Sequence, residues 1–124
     1  MSQSAGSKPQ SCPVLATANI ISGKWTLLIL RDLTSGISRF GALERSLSGI
    51  SPKTLSERLK SLQQAGIVTR EAHAEFPPRV EYTLTAMGQE LIPLIDHMRE
   101  YGTKWLMTGD AASGAMPGVS TQGA

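Results

Sequence analysis

The residues best equipped for chemistry lie close together in the middle of the chain. Lys53, Thr54, Ser56, Arg58 and Lys60 follow Ser51 and Pro52, with Glu57 as the one acid among them. All five are hydrogen-bond donors, and three are cations. Donors of this kind hold phosphate oxygens by charge and read the acceptors on base edges by direction. Arg39 precedes the group and Arg79 follows it at a distance. Between Arg39 and Lys60 there are five basic residues (Arg39, Arg45, Lys53, Arg58, Lys60) against two acids, Glu44 and Glu57. Charge alone also fits a solvated helical face. The net charge of +2 over 124 residues is too small to decide between the two.

The element that carries these donors has both ends marked. Ser51 is a good N-cap, because its hydroxyl accepts from a free first-turn N–H. Pro52 follows at the first helical position, where a missing N–H costs nothing. Ile50 and Leu55 stand where a hydrophobic staple would join them. Gly66 is the residue expected just past the C-terminus, where the chain turns left-handed. Leu55, Leu59 and Leu62 form a narrow apolar stripe, which turns the donors outward. This helix suits the major groove of DNA. Its first half would meet the bases, through Lys53 and Thr54, with Ser56 and Arg58 next. Ser51 and Lys60 are better placed for phosphate, and Arg39 is a further phosphate candidate. The competing roles are plain solvation of Arg58 and Lys60, or pairing with Glu57.

The neighbouring segments supply the frame. Residues 1–11 have the composition of a disordered arm. Pro13 suits a first helical position and puts Cys12 at its N-cap, with the helix closed by Ser22-Gly23. Lys24 to Leu33 is apolar nearly all round and should be the central core helix. Arg39 to Leu47 is a third helix, capped by Ser38, with Phe40, Leu43 and Leu47 on one face. A tight turn at Ser48-Gly49 then leads into the donor helix, the pattern of a helix-turn-helix. Ile67 to Ala74 is β-prone, and Glu75-Phe76-Pro77-Pro78 is a stiff, protruding turn. Arg79 to Leu84 alternates, with Val80, Tyr82 and Leu84 inward and Arg79, Glu81 and Thr83 outward. Arg79 stands at the hairpin tip, where it faces DNA or pairs with Glu75 or Glu81. Thr85 caps a last helical segment that Pro93 should kink or split. Its stripe is Leu91, Leu94, Ile95, Met98, Tyr101 and Trp105, which either packs on its own core or forms a dimer interface. Residues 109–124 are small and polar, and are expected to be disordered.

Residues 12 to 105 resemble the HxlR-type winged helix-turn-helix regulators, relatives of the MarR-type fold. The resemblance is carried by Cys12-Pro13, Gly23-Lys24-Trp25-Thr26-Leu27-Leu28-Ile29-Leu30, Arg39-Phe40, Gly49-Ile50-Ser51-Pro52-Lys53, Leu55-Ser56-Glu57-Arg58-Leu59, Ala65-Gly66, Pro77-Pro78-Arg79-Val80-Glu81-Tyr82 and Leu84-Thr85. Met87 departs from it, since a charged residue usually precedes the Gly there. The implied fold is mainly α with a small β-hairpin: a winged helix-turn-helix in the order α-α-α-α-β-β-α, filling residues 12–108, with a C-terminal helix for dimerisation. The implied function is a sequence-specific transcription factor, commonly a repressor, that binds a double-stranded DNA operator as a homodimer. The first helix and the C-terminal helices would form the dimer. Some members use a cysteine at the position of Cys12 to sense oxidants or electrophiles, in some cases through an intersubunit disulfide.

Cys12 has a physical reason of its own to react. An N-cap thiol faces free N–H groups and the positive end of the helix dipole, which stabilises the nucleophilic thiolate. As the single cysteine it has no internal disulfide partner. A structural or unreactive thiol is the alternative.

Other function classes find little support. The longest apolar run, Leu27 to Leu30, is far too short to cross a bilayer, and no secretory segment opens the chain; the expected place is the cytoplasm, at the nucleoid. No phosphate loop, dinucleotide fingerprint or nucleophile elbow is present, and neither His73 nor His97 sits in a catalytic spacing. The expectation is therefore no enzyme, no cofactor and no metal, since no ligand pair has helical spacing. The remaining rival is a winged helix used only for protein contacts. Its surface would not need this mixture of cations and hydroxyls.

Overall fold

The computed structural model of the chain describes residues 12–107. The arm expected at 1–11 and the tail expected at 109–124 lie outside the described residues. The elements are α1 (Pro13–Ile21), α2 (Lys24–Thr34), α3 (Phe40–Ser46), α4 (Pro52–Gln64), β1 (Val68–His73), β2 (Arg79–Leu84), α5 (Ala86–Gln89) and α6 (Ile92–Trp105). This is the winged helix-turn-helix order, mainly α with one antiparallel hairpin. Among the described residues no single helix is long and apolar enough to cross a membrane.

Elements up to Gln89 pack as one unit. α2 lies at its centre, against α3, α4 and β2. Ile29, Leu30, Leu43, Leu55 and Leu59 lose all contact with solvent, and Leu47, Leu62, Ile67 and Val68 nearly all. The stripe Leu55, Leu59 and Leu62 is therefore the buried face of α4, as its spacing required. Each such side chain contributes about 1.5–3 kcal/mol by leaving water, so the stripe fixes the roll of the helix and hence which residues face out.

Local signals set the ends of α4. Ser51 Oγ accepts from the Thr54 N–H at 3.0 Å, with Pro52 next in the first turn. At the other end Gly66 takes φ +83°. There the Gly66 N–H donates to Gln63 C=O at 3.1 Å, and the Ile67 N–H to Leu62 C=O at 2.9 Å. This pair of bonds is a Schellman closure, and it needs the left-handed residue that glycine supplies.

The start of α3 differs from expectation. Arg39, not Ser38, is the N-cap residue, and its side chain makes no capping bond. The cause lies far away in sequence. Ser38 C=O accepts from the Tyr82 N–H at 2.8 Å, and Arg39 forms a β-bridge with Glu81. The segment before α3 is thus held extended beside β2 by one isolated bridge, and the helix begins one residue later.

The hairpin pairs Val68 with Leu84 through to His73 with Arg79. Tyr82 points into the core at 6% exposure. Arg79 and Glu81, expected to face water, keep only 30% and 24% of their side-chain exposure. Arg39 lies against that face. Thr85 caps α5 as expected: its Oγ1 donates to Gly66 C=O at 2.6 Å and accepts from the Gly88 N–H at 3.0 Å.

The C-terminal segment splits, with the break at Glu90-Leu91 and Pro93 tolerated in the first turn of α6. A second unit begins at Glu90. Within it Ile95 is buried, while Leu94, Met98, Tyr101 and Trp105 are 37%, 44%, 56% and 62% exposed. Their spacing puts these four on one helical face.

Gly88 gives a stability test. A Cβ there would stand 2.2 Å from the Ile67 carbonyl oxygen, a backbone atom that cannot step aside. Gly88→Ala should cost about 1–3 kcal/mol and lower the thermal midpoint followed by circular dichroism. Gly102→Ala, whose methyl meets nothing within 4 Å, should leave the midpoint unchanged or higher.

Candidate nucleic-acid interface

The packing of α4 sorts its donors by direction. Lys53, Ser56 and Lys60 are exposed, while Thr54 and Arg58 are half-buried. Ser51 is exposed but already engaged: besides capping Thr54 N–H, its hydroxyl donates to Thr54 Oγ1 at 3.0 Å. Ser56, Lys60 and Gln63 share the flank of the helix that turns toward Arg70 and Tyr82 of the hairpin. Neither Arg58 nor Lys60 forms an ion pair with Glu57 among the described residues.

α3, the start of α4 and the hairpin together enclose an open groove of about 580 Å³. Arg39, Arg45, Ser56, Arg70 and Arg79 line it, over a floor that includes Gly41 and Tyr82. The fold thus brings together three residues expected to bind DNA, Arg39, Ser56 and Arg79. It adds Arg45 and Arg70, which the sequence does not single out. Arg45 gives no signal beyond its charge. Arg70 sits in a strand whose alternation is only partial, and only the hairpin register turns it toward α4.

Two of the three arginines expected at the DNA, Arg39 and Arg79, are not free. Arg79 Nη1 lies 2.8 Å from the Glu75 carboxylate, and Arg79 Nε lies 3.5 Å from Glu81 Oε2. Arg39 Nε is also 3.5 Å from Glu81 Oε2. His73 Nε2 occupies the other oxygen, 3.0 Å from Glu81 Oε1. Burial alone pushes the Glu81 carboxyl up, but Arg79, His73 and Arg39 together hold it below the ordinary carboxylate value.

Glu71, His73 and Glu81 bring a ring nitrogen and two carboxylates within 4.8 Å of one another. Helical ligand spacings do not reveal this group, because same-face residues in a strand are two apart and Glu81 arrives from across the hairpin. The donor types suit a divalent ion, but the far oxygen of Glu81 already faces two guanidinium groups.

Cys12 caps α1 as expected. Its backbone is extended, and its Sγ accepts from the Leu15 N–H at 3.5 Å. The thiol is free and exposed. α1 buries none of its residues, and Val14 and Leu15 are 77% and 51% exposed.

Comparison with known proteins agrees with this geometry. The sequence model of the HxlR-like helix-turn-helix family matches residues 20–110. An HTH-type transcriptional regulator from Synechocystis sp. is 43% identical over 95 residues, which is 77% of this chain and 70% of that one. The solved structure of the redox regulator HypR in its reduced form is similar at a TM-score of 0.71 and 35% identity, over 75% of this chain and 92% of that one. The diamide-treated YodB from B. subtilis is similar at a TM-score of 0.62 and 34% identity, over 77% and 96%.

The Glu81 cluster predicts an acid limb in stability. A carboxyl held low in the folded state stabilises the protein above its unfolded value. That contribution disappears as pH falls through the lowered folded value. Carboxyl NMR should find Glu81 titrating below the ordinary carboxylate value, and Arg79→Ala should raise its midpoint. Identical midpoints in the two proteins would show that Arg79 does not hold the charge.

Proposed function

Because the chain belongs to the HxlR-like helix-turn-helix family and is a transcriptional regulator, we propose that it binds a pseudo-palindromic operator in double-stranded DNA as a homodimer and acts as a repressor. The outward face of α4 carries this proposal. It turns Lys53, Ser56 and Lys60 outward, with the half-buried Thr54 and Arg58 on its flank, and a leucine stripe holds the helix at fixed roll. Lys53 and Thr54 stand in the first turns and meet base edges, where a good cation-to-guanine contact contributes about 1–3 kcal/mol of discrimination. Ser51 and Lys60 meet phosphates, as do Arg39 and Arg79 once phosphate replaces their carboxylate partners. The protein works in the cytoplasm, at the nucleoid.

The apolar face of α6 (Leu94, Met98, Tyr101 and Trp105, with Leu91 and Ile95 beneath) and the uncovered α1 support the dimer. Two copies would set two half-sites about one helical turn apart. Cys12 at the end of α1 is the proposed sensor. Oxidation of two Cys12 thiols to one intersubunit disulfide releases two protons and two electrons, which diamide takes up; alkylation by an electrophile modifies each thiol singly. A redox regulator and a diamide-treated protein among the similar structures support that role.

Selection of bound duplexes from a random pool, with and without reductant, tests these claims together. It should return paired half-sites, and diamide should weaken or alter binding in the wild type but not in Cys12→Ser. No saturable DNA binding would leave a protein-interaction module in its place. Light scattering at micromolar concentration should give a dimer, and Trp105→Glu with Met98→Glu should shift it toward monomer.

A further inference from the structure

The groove lined by Arg39, Arg45, Arg70 and Arg79 has a use that the helix and hairpin do not exhaust. We infer that it seats the sugar-phosphate strand that separates a major groove from the next minor groove, with Arg45 and Arg70 as its phosphate clamps. The inference rests on the DNA-binding reading above. In B-DNA the two grooves are divided by a backbone strand. With α4 in a major groove and the hairpin tip reaching toward the adjacent minor groove, as the inference takes them, that strand lies between the two elements. Here the space between α4 and the hairpin is an open groove of about 580 Å³.

Its charge fits a polyanion. Four arginines and Ser56 are among the residues that line it, and no acid is. Two of the four are occupied, Arg39 by Glu81 and Arg79 by Glu75 and Glu81. Among the described residues Arg45 and Arg70 enter no ion pair. They are exposed and stand on opposite walls, one on α3 and one on β1. Arg45 lies close to Gly41 across one turn of α3, its Nη1 3.5 Å from where a Cβ would be, in ordinary contact distance. Lys60 borders the adjoining recess with Arg70, where Glu57 is the one acid.

Phosphate contacts give affinity without sequence preference, and each releases counterions. Arg45→Ala and Arg70→Ala should therefore weaken operator and random DNA by the same factor. Each should also make log affinity against log salt less steep by about 0.9 per protomer. For the proposed dimer, which carries two copies of each side chain, this is between about 50 and 200 mM salt about a 12-fold smaller loss for one variant and about 150-fold for the pair. Arg45→Lys and Arg70→Lys should keep the wild-type slope, since the charge remains. Lys53→Ala should instead narrow the gap between operator and random DNA. If the wild type binds steeply with salt and both alanine variants match it, the inference is overturned while the DNA-binding reading stands. If the wild type binds no DNA, both fall. If the alanine variants lose only inorganic phosphate, followed by NMR, and keep the wild-type DNA slope, the groove is a small-anion pocket and the inference is again overturned.

Discussion

One backbone bond joins the two halves of the interface. The Tyr82 N–H donates to Ser38 C=O at 2.8 Å, and the Arg39–Glu81 bridge continues the pairing. Without that junction the hairpin would be a two-stranded ribbon, and such ribbons are marginal alone in water. With it, the hairpin is tied through its second strand to the residues that open α3. Tyr82 then closes the core beneath, and the side chains of Arg39, Arg79 and Glu81 meet above. The groove between hairpin and helix has its shape because this junction has only one register.

The cations divide into two classes on this frame. Lys53, Arg58 and Lys60 on α4, with Arg45 and Arg70 in the groove, have no carboxylate partner among the described residues. Arg39 and Arg79 share Glu81, which also holds His73. A phosphate that recruits Arg39 or Arg79 must therefore displace a carboxylate, so part of its attraction is cancelled. The compensation is preorganisation: both guanidinium groups are already held near the groove, and little side-chain freedom remains to be lost.

How much of this could be read from the sequence depended on range. α4 is set by residues within one turn of its ends, Ser51, Pro52 and Gly66, and its stripe by spacing alone. The Cys12 cap and the Thr85 cap are equally local. The start of α3 could not be found that way. Ser38 has the chemistry of a cap, but Tyr82, far along the chain, takes its carbonyl. Arg45, Arg70 and the Glu71–His73–Glu81 group became visible only once the hairpin register was known, because nothing in the local pattern of β1 says which face meets α4. The family resemblance agreed with the element order and the α4 donors already read from residue types and spacing, but neither gave the ion pairs that occupy Arg39 and Arg79.

The bare first helix carries a further consequence. α1 has nine residues and buries none of them within the protomer. A helix of that length is marginal in water on its own, so it depends on its half-buried residues Ala16, Thr17, Ile20 and Ile21 and on whatever covers the rest. The helix-end environment of the Cys12 thiol exists only while α1 is wound. On the dimer proposed above, mass action then reaches the thiol: dilution would unwind the helix and remove its cap together. The chemical sensitivity of the cysteine would then follow how many copies of the protein the cell contains, as well as what oxidant it meets.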